Sequence, residues 1–182
     1  PVPGMRFVDG TLVDTAADLN GALNHVFGQA GLAPVDEAHT RHWVGHGAKV
    51  LIEEALAAQG QPRQRAEAML EVFLDYYHRH VADLSRPYPH VVEALDALRA
   101  RGARLAVVTN KRERLTRPLL AALDLADRFD CVVGGDTAAR PKPAPDPALL
   151  ACEQLGLTPR DVLFVGDSTT DVDCARAAGC DV

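Results

Sequence analysis

The chain has 182 residues, of which 47% are hydrophobic, and sets 19 lysines and arginines against 25 aspartates and glutamates for a formal net charge of −6. That acidic balance, with no basic run, argues against nucleic acid as a partner, and no apolar stretch reaches membrane-spanning length. The length allows one domain or a domain with a sizeable insertion, the apolar content suffices for a buried core, and the absence of a charged leader before an apolar block in PVPGMRF makes the cytoplasm the expected location.

In chain order, the first element is a short apolar strand ending near Asp9, followed by Gly10 and Thr11. Residues 15 to about 85 hold no strand-like run, and their apolar residues keep helical spacing in three stripes. These are Leu19, Leu23, Val26 and Phe27; Val50, Leu51, Ala55 and Leu56; and Met69, Leu70, Phe73, Leu74 and Tyr77. They predict a helical domain over residues 15–86, inserted after the first strand, with both ends close together. Asp14 is expected to cap its first helix, and SRPYP (Ser85 to Pro89) to form a stiff return linker.

Beyond that point short apolar runs alternate with helical patterns. HVVEALDALRARG is a helix stopping at Gly102, RLAVVTN (Arg104 to Asn110) a strand, and FDCVVGGD (Phe129 to Asp136) a weaker one. APDPALLACEQLG predicts a helix with Asp146 as N-cap, Pro147 at its first position and Gly156 as its stop; DVLFVGD (Asp161 to Asp167) is again a strand. Strand, helix, strand, helix predicts an α/β fold, a parallel sheet built from residues 1–14 and 87–182. Cys131, Cys152, Cys174 and Cys180 lack the paired spacing of a zinc site and read as reduced, packed thiols.

In an open α/β sheet, ligands bind beyond the carboxyl ends of the strands. The polar residues there are Asp9, Gly10 and Thr11 after the first strand, and Thr109, Asn110 and Lys111 after LAVV. Lys142 follows within RPKPAPDP, then Gly166, Asp167 and Ser168, with Asp171 one helical turn on. Carboxylates, a hydroxyl and an ammonium together suit a phosphate held by Mg²⁺ on its acidic side and by lysine and backbone amides on the other. Each residue also has a plain structural role: Asp9 to Thr11 an ordinary turn, Thr109 and Asn110 a strand end, Lys142 a solvated loop lysine, Asp167 or Ser168 a helix cap with Asp171 complementing the dipole. Their coincidence on one sheet edge favours the functional reading.

DGTLVDT, VVTNK, RPKP and GDSTTD, in this order and over nearly the whole chain, resemble the four motifs of the haloacid dehalogenase superfamily of phosphatases. WVGHGAKVLIEEAL, YYHRHVADLSRPYPHVVEAL and LAVVTNK look most like its phosphoglycolate phosphatase branch. The resemblance implies a Rossmann-like core with an all-helical cap, Mg²⁺ as cofactor, a small phosphorylated metabolite as partner, with 2-phosphoglycolate first, and an aspartyl-phosphate intermediate. By the same resemblance Asp9 is the general acid and base, and its carbonyl a metal ligand. Asp167 is a second ligand, and Asp171 a further ligand or the residue that holds one. Thr109 hydrogen-bonds the phosphoryl group, the Asn110 amide helps orient it, and Lys142 neutralises the nucleophile and the transferring charge. Gly10 and Thr11 meet the phosphate, and Gly45, His46 and Gly47 in VGHGAK resemble the cap loop that meets the leaving group.

The pattern departs from the family at the nucleophile. An aspartate belongs two residues before Asp9, and the chain has Phe7. An aspartate between Phe7 and Val8 restores FDVDGTLVDT in one step, and the shortness of MRFV together with the intact Asp9, Lys142 and Asp167 favours its omission from the sequence over its loss from the protein. The alternatives are a catalytically inactive module that binds phosphate or a partner, and a phosphohexose mutase. A metal-free dehalogenase has no need of Asp9.

Overall fold

The computed structural model describes residues 5–6 and 11–182, with Met5 and Arg6 as backbone. In chain order, β1 (Met5–Arg6) and β2 (Val13–Asp14) precede α1 (Ala16–Gln29), α2 (Glu37–Trp43), α3 (Ala48–Ala58) and α4 (Ala66–Arg79). Then come β3 (Arg86–Pro87), α5 (Val91–Ala100), β4 (Ala106–Val108), α6 (Glu113–Ala122), β5 (Cys131–Val133), α7 (Asp146–Leu155), β6 (Phe164–Val165) and α8 (Thr169–Ala178). The chain divides into two compact units, one of the residues up to Asp14 with Arg86–Val182, the other of Thr15–Ser85. Arg86 thus groups with the sheet.

The first unit is built on a parallel sheet in the order β5-β4-β1-β6, with Arg6 level with Val107 on one side and Val165 on the other. β4 is buried along its whole length because it lies inside the sheet, with both faces covered. One core gathers Ala106 and Val108 of β4, Val133 of β5 and Phe164 of β6 with Ala148, Ala151 and Leu155 of α7 and Cys174 and Ala175 of α8. Burial pushes the Cys174 thiol up to about 11 and that of Cys180 to about 12, and, with help from Asp130, Cys131 to about 11. All three are therefore thiols at neutral pH, and Cys152, Cys174 and Cys180 are packed.

α7 ends at Gly156, whose φ of 62° is the left-handed conformation the sequence anticipates. Its start differs by one residue: Pro145 is the N-cap and Asp146 the first helical residue. The Asp146 carboxylate pairs instead with Arg140 at 2.8 Å, an acid at a helix start being favourable there too.

The second unit consists of the helices the periodicity predicts. Leu23 and Phe27 of α1, Ala55 and Leu56 of α3, and Phe73, Leu74 and Tyr77 of α4 are fully buried, and α4 packs against both α1 and α3. Val50 is only half-buried, and Ile52 takes its place on the buried face of α3. Asp14 does not cap α1: it lies in β2, and Thr15 precedes the helix. SRPYP is likewise more than a linker, since β3 pairs antiparallel with β2 and the Tyr88 amide donates to the Leu12 carbonyl at 2.9 Å. A two-residue strand has too little length for any periodicity to show.

The ends of the helical unit are tied by a buried carboxylate. Asp18, 5% exposed, accepts hydrogen bonds from the Leu84 amide (3.0 and 3.1 Å), the Ser85 amide (2.7 Å) and the Ser85 hydroxyl (2.6 Å). Among the described residues no helix is long and apolar enough to cross a membrane. Replacing Asp18 by Ala removes the carboxylate these donors share, and we expect a loss of about 3 kcal/mol in urea unfolding, with a smaller loss for Asp18→Asn, which keeps one acceptor oxygen.

Candidate active site

β1 lies between β4 and β6, so the chain leaves it to one side for β4 and β5 and later returns to its other side as β6. Such a reversal opens a crevice at the carboxyl ends of the two strands that flank it, here β1 and β6. Of the residues expected there, Asp9 and Gly10 lie outside the described residues. Thr11 bridges to the other strand: its hydroxyl donates to Asp167 Oδ1 at 2.5 Å. Asp167 is exposed and makes no other hydrogen bond or ion pair among the described residues.

Lys142 is not a solvated loop lysine. It is 8% exposed, and its ammonium donates to Asp171 Oδ1 at 2.6 Å and to the Val108 carbonyl at the end of β4 at 3.1 Å. Asp171, 3% exposed, turns its other oxygen to Ser168, accepting from the amide at 3.2 Å and from the hydroxyl at 2.7 Å, while the Ser168 hydroxyl accepts from the Asp171 amide. GDSTTD is therefore a capping box at the start of α8 whose third helical residue also holds the lysine. Gly166 is what lets it approach: a Cβ there would sit 2.4 Å from the Asp171 Cβ.

The VVTNK loop meets the same lysine from the other side. The Asn110 side chain donates to the Lys142 carbonyl at 3.2 Å and accepts from the Lys142 amide at 3.0 Å. The Asn110 side chain thus orients the lysine's own backbone, a partner 32 residues away that local sequence does not reveal. Thr109 is 3% exposed; its amide donates to the Val133 carbonyl, and its hydroxyl oxygen accepts from the Lys111 amide at 3.0 Å. Lys111 is itself buried at 8% exposure, a cation at this edge that the sequence reading left without a role.

Mg²⁺ takes oxygen ligands and keeps several waters, so it needs few but exposed carboxylates. Asp167 fits that requirement, with one oxygen steadied by Thr11. Asp171 is more buried, with one oxygen on Lys142 and the other on Ser168, contacts that suit a residue holding a ligand in place. Among the described residues no three His, Cys, Asp or Glu side chains are grouped to hold a metal, Asp9 standing outside them. Gly45, His46 and Gly47 belong to the other unit, where they form the turn between α2 and α3, with φ of 104° and 94° at the two glycines and His46 exposed.

The family model for haloacid dehalogenase-like hydrolases matches residues 8–182, beginning immediately after Phe7. The phosphoglycolate phosphatase of Mesorhizobium japonicum is 44% identical over 177 residues, covering 96% of this chain and 78% of that protein. The phosphoglycolate phosphatase of Escherichia coli K12 is 38% identical over 199 residues, covering 98% and 79%. A crystal structure of a predicted phosphoglycolate phosphatase from Haemophilus somnus 129pt has a TM-score of 0.89 at 34% identity, over 98% of this chain and 82% of that one.

The lysine pair can be tested without a substrate. Asp171→Ala takes the carboxylate away from a buried ammonium, and we expect it to cost about 3–5 kcal/mol in chemical denaturation. The double variant Lys142→Met with Asp171→Leu should lose less, because it removes both charges at once.

Proposed function

The chain belongs to the haloacid dehalogenase-like hydrolase family, as one of its phosphatases, and from that premise we propose that it is a Mg²⁺-dependent phosphomonoesterase of a small phosphorylated metabolite, 2-phosphoglycolate first among them. The observation that carries the reading is the buried Lys142 ammonium, held on Asp171 at the same sheet edge as the exposed Asp167 carboxylate. A phosphate monoester needs such a fixed positive charge, and next to it an anionic place for a metal ion.

The nucleophile is an aspartate between Phe7 and Val8. Its carboxylate oxygen attacks phosphorus, the bond from phosphorus to the ester oxygen breaks, and Asp9 gives its proton to the departing alkoxide. Asp9 then takes a proton from a water that attacks the aspartyl-phosphate, which releases inorganic phosphate, frees the nucleophile's carboxylate and returns Asp9 to its protonated form. Lys142 neutralises charge on the nucleophile and the transferring group; the Thr109 hydroxyl and the amides of Gly10, Thr11 and Asn110 orient its oxygens. Asp167 and the Asp9 carbonyl would hold Mg²⁺, which when bound polarises the phosphoryl group, and Asp171 keeps Lys142 and Ser168 in place behind them. Gly45, His46 and Gly47 are our candidates for contact with the leaving group. The cytoplasm is the compartment we assign it.

Phe7 carries the rival reading, a phosphate- or partner-binding module without turnover. Two measurements decide between them. Tandem mass spectrometry of the tryptic peptide from Phe7 to Arg41 is expected to show one aspartyl residue more than FVDGTLVDT contains. Purified protein is expected to release inorganic phosphate from 2-phosphoglycolate, to stop on chelation and to resume with added Mg²⁺. A peptide running directly from Phe7 to Val8, with no phosphate released, would establish the binding module. Transfer of the phosphoryl group to a sugar hydroxyl in place of water would make the chain a mutase.

A further inference from the structure

The loop after β5, Gly134 to Thr137, has no part in the reaction just described, yet it is fitted closely to the loop that carries Thr109 and Asn110. The Gly135 amide donates to the Lys111 carbonyl at 2.9 Å, and the Gly134 amide to the Thr137 hydroxyl oxygen at 2.9 Å. That hydroxyl in turn donates to Glu113 Oε2 at 2.8 Å, while Arg117 donates to Glu113 Oε1 at 2.6 Å. α6 begins without a side-chain cap of its own, since a guanidinium at the N-cap position carries only donor atoms, and Asp136 supplies the acceptor from the neighbouring loop by accepting from the Glu113 amide at 2.9 Å.

Both glycines are there for room. A Cβ on Gly134 would come within 2.5 Å of the Glu113 nitrogen, and one on Gly135 within 2.3 Å of the Asn110 carbonyl oxygen. Backbone cannot yield at such distances, so the two loops meet main chain to main chain. Asn110, gripped from behind in this way, grips Lys142 in front through its side-chain amide. A continuous set of contacts therefore runs from Glu113 through Thr137, Gly134 and Gly135 to Lys111 and Asn110, and on to the ammonium-bearing residue.

We propose that Thr137 and Glu113 are positioning residues for phosphoryl transfer: the bond between them locks the loop after β5 against α6 and thereby sets Thr109 and Asn110 in register with Lys142. Neither touches the substrate. The inference rests on the phosphatase reading for its effect on turnover, and on geometry alone for its effect on the loop. Misplacing such groups by a fraction of an ångström lowers the rate of the chemical step more than it lowers binding, because alignment matters most in the transition state.

Thr137→Val keeps the shape and removes the hydroxyl. We expect kcat on 2-phosphoglycolate to fall about ten-fold with KM within about two-fold, Thr137→Ser to restore kcat, and Glu113→Gln, which keeps an acceptor oxygen, to stay near the wild type where Glu113→Ala does not. Native-state hydrogen exchange is the second readout and needs no activity. The amides of Lys111, Glu113 and Gly135 should exchange at least about ten-fold faster in Thr137→Val, with those of α7 unchanged. Unaltered exchange at these amides would overturn the proposal, as would an equal loss of kcat in Thr137→Val and Thr137→Ser. If the wild type hydrolyses no phosphomonoester, the phosphatase reading fails, while the exchange measurement still decides the brace.

Discussion

The sheet edge is organised around one buried ion pair. Lys142 and Asp171 meet at 2.6 Å with their side chains 7% and 4% exposed, and taking two charges out of water costs several kcal/mol each unless every remaining donor and acceptor is met. Here they are met by specific elements: the end of β4 through the Val108 carbonyl, and the first turn of α8 through Ser168. Removing either charge would upset the balance around the other, so the pair ties β4, the loop before α7 and the start of α8 into one mutual arrangement. It is a constraint before it is a source of stability.

Several otherwise unrelated features follow from it. Gly166 must be glycine because the Asp171 side chain fills the space of its Cβ. Asn110 must hold the Lys142 backbone from both sides, since an ammonium that reaches inward needs its own peptide units anchored. The two acids of GDSTTD differ for the same reason: Asp171 is buried, holding the lysine and capping α8, while Asp167 stays exposed.

The helical unit obeys a separate but analogous rule. An insertion between β2 and β3 must bring its first and last residues together, and a carboxylate on α1 does so by accepting from two consecutive amides and a hydroxyl at the far end. The Ser85 residue is fully buried, where a backbone donor costs most if it is unmet. The stripes on α1, α3 and α4 then supply the apolar burial that keeps the unit compact.

How much of this was legible in the sequence depends on the range of the interaction concerned. The helices of the insertion, the buried strands, the left-handed stop at Gly156 and the capping box of Ser168 and Asp171 follow from residues within a few positions of one another, and local spacing displays them. Asp14 reads locally as the cap of α1 but belongs to β2, and nothing local marks Asp18, because the partners that decide them, Arg86 of β3 and Ser85, stand far along the chain. The motifs marked Lys142, Asp167 and Asp171 as members of one site, since their residue types and order suffice for that. Which acid would be buried against the lysine, and that Asn110 would bind backbone, were decided only by the tertiary structure, because a hydrogen bond across 32 residues leaves no periodicity in the sequence that makes it.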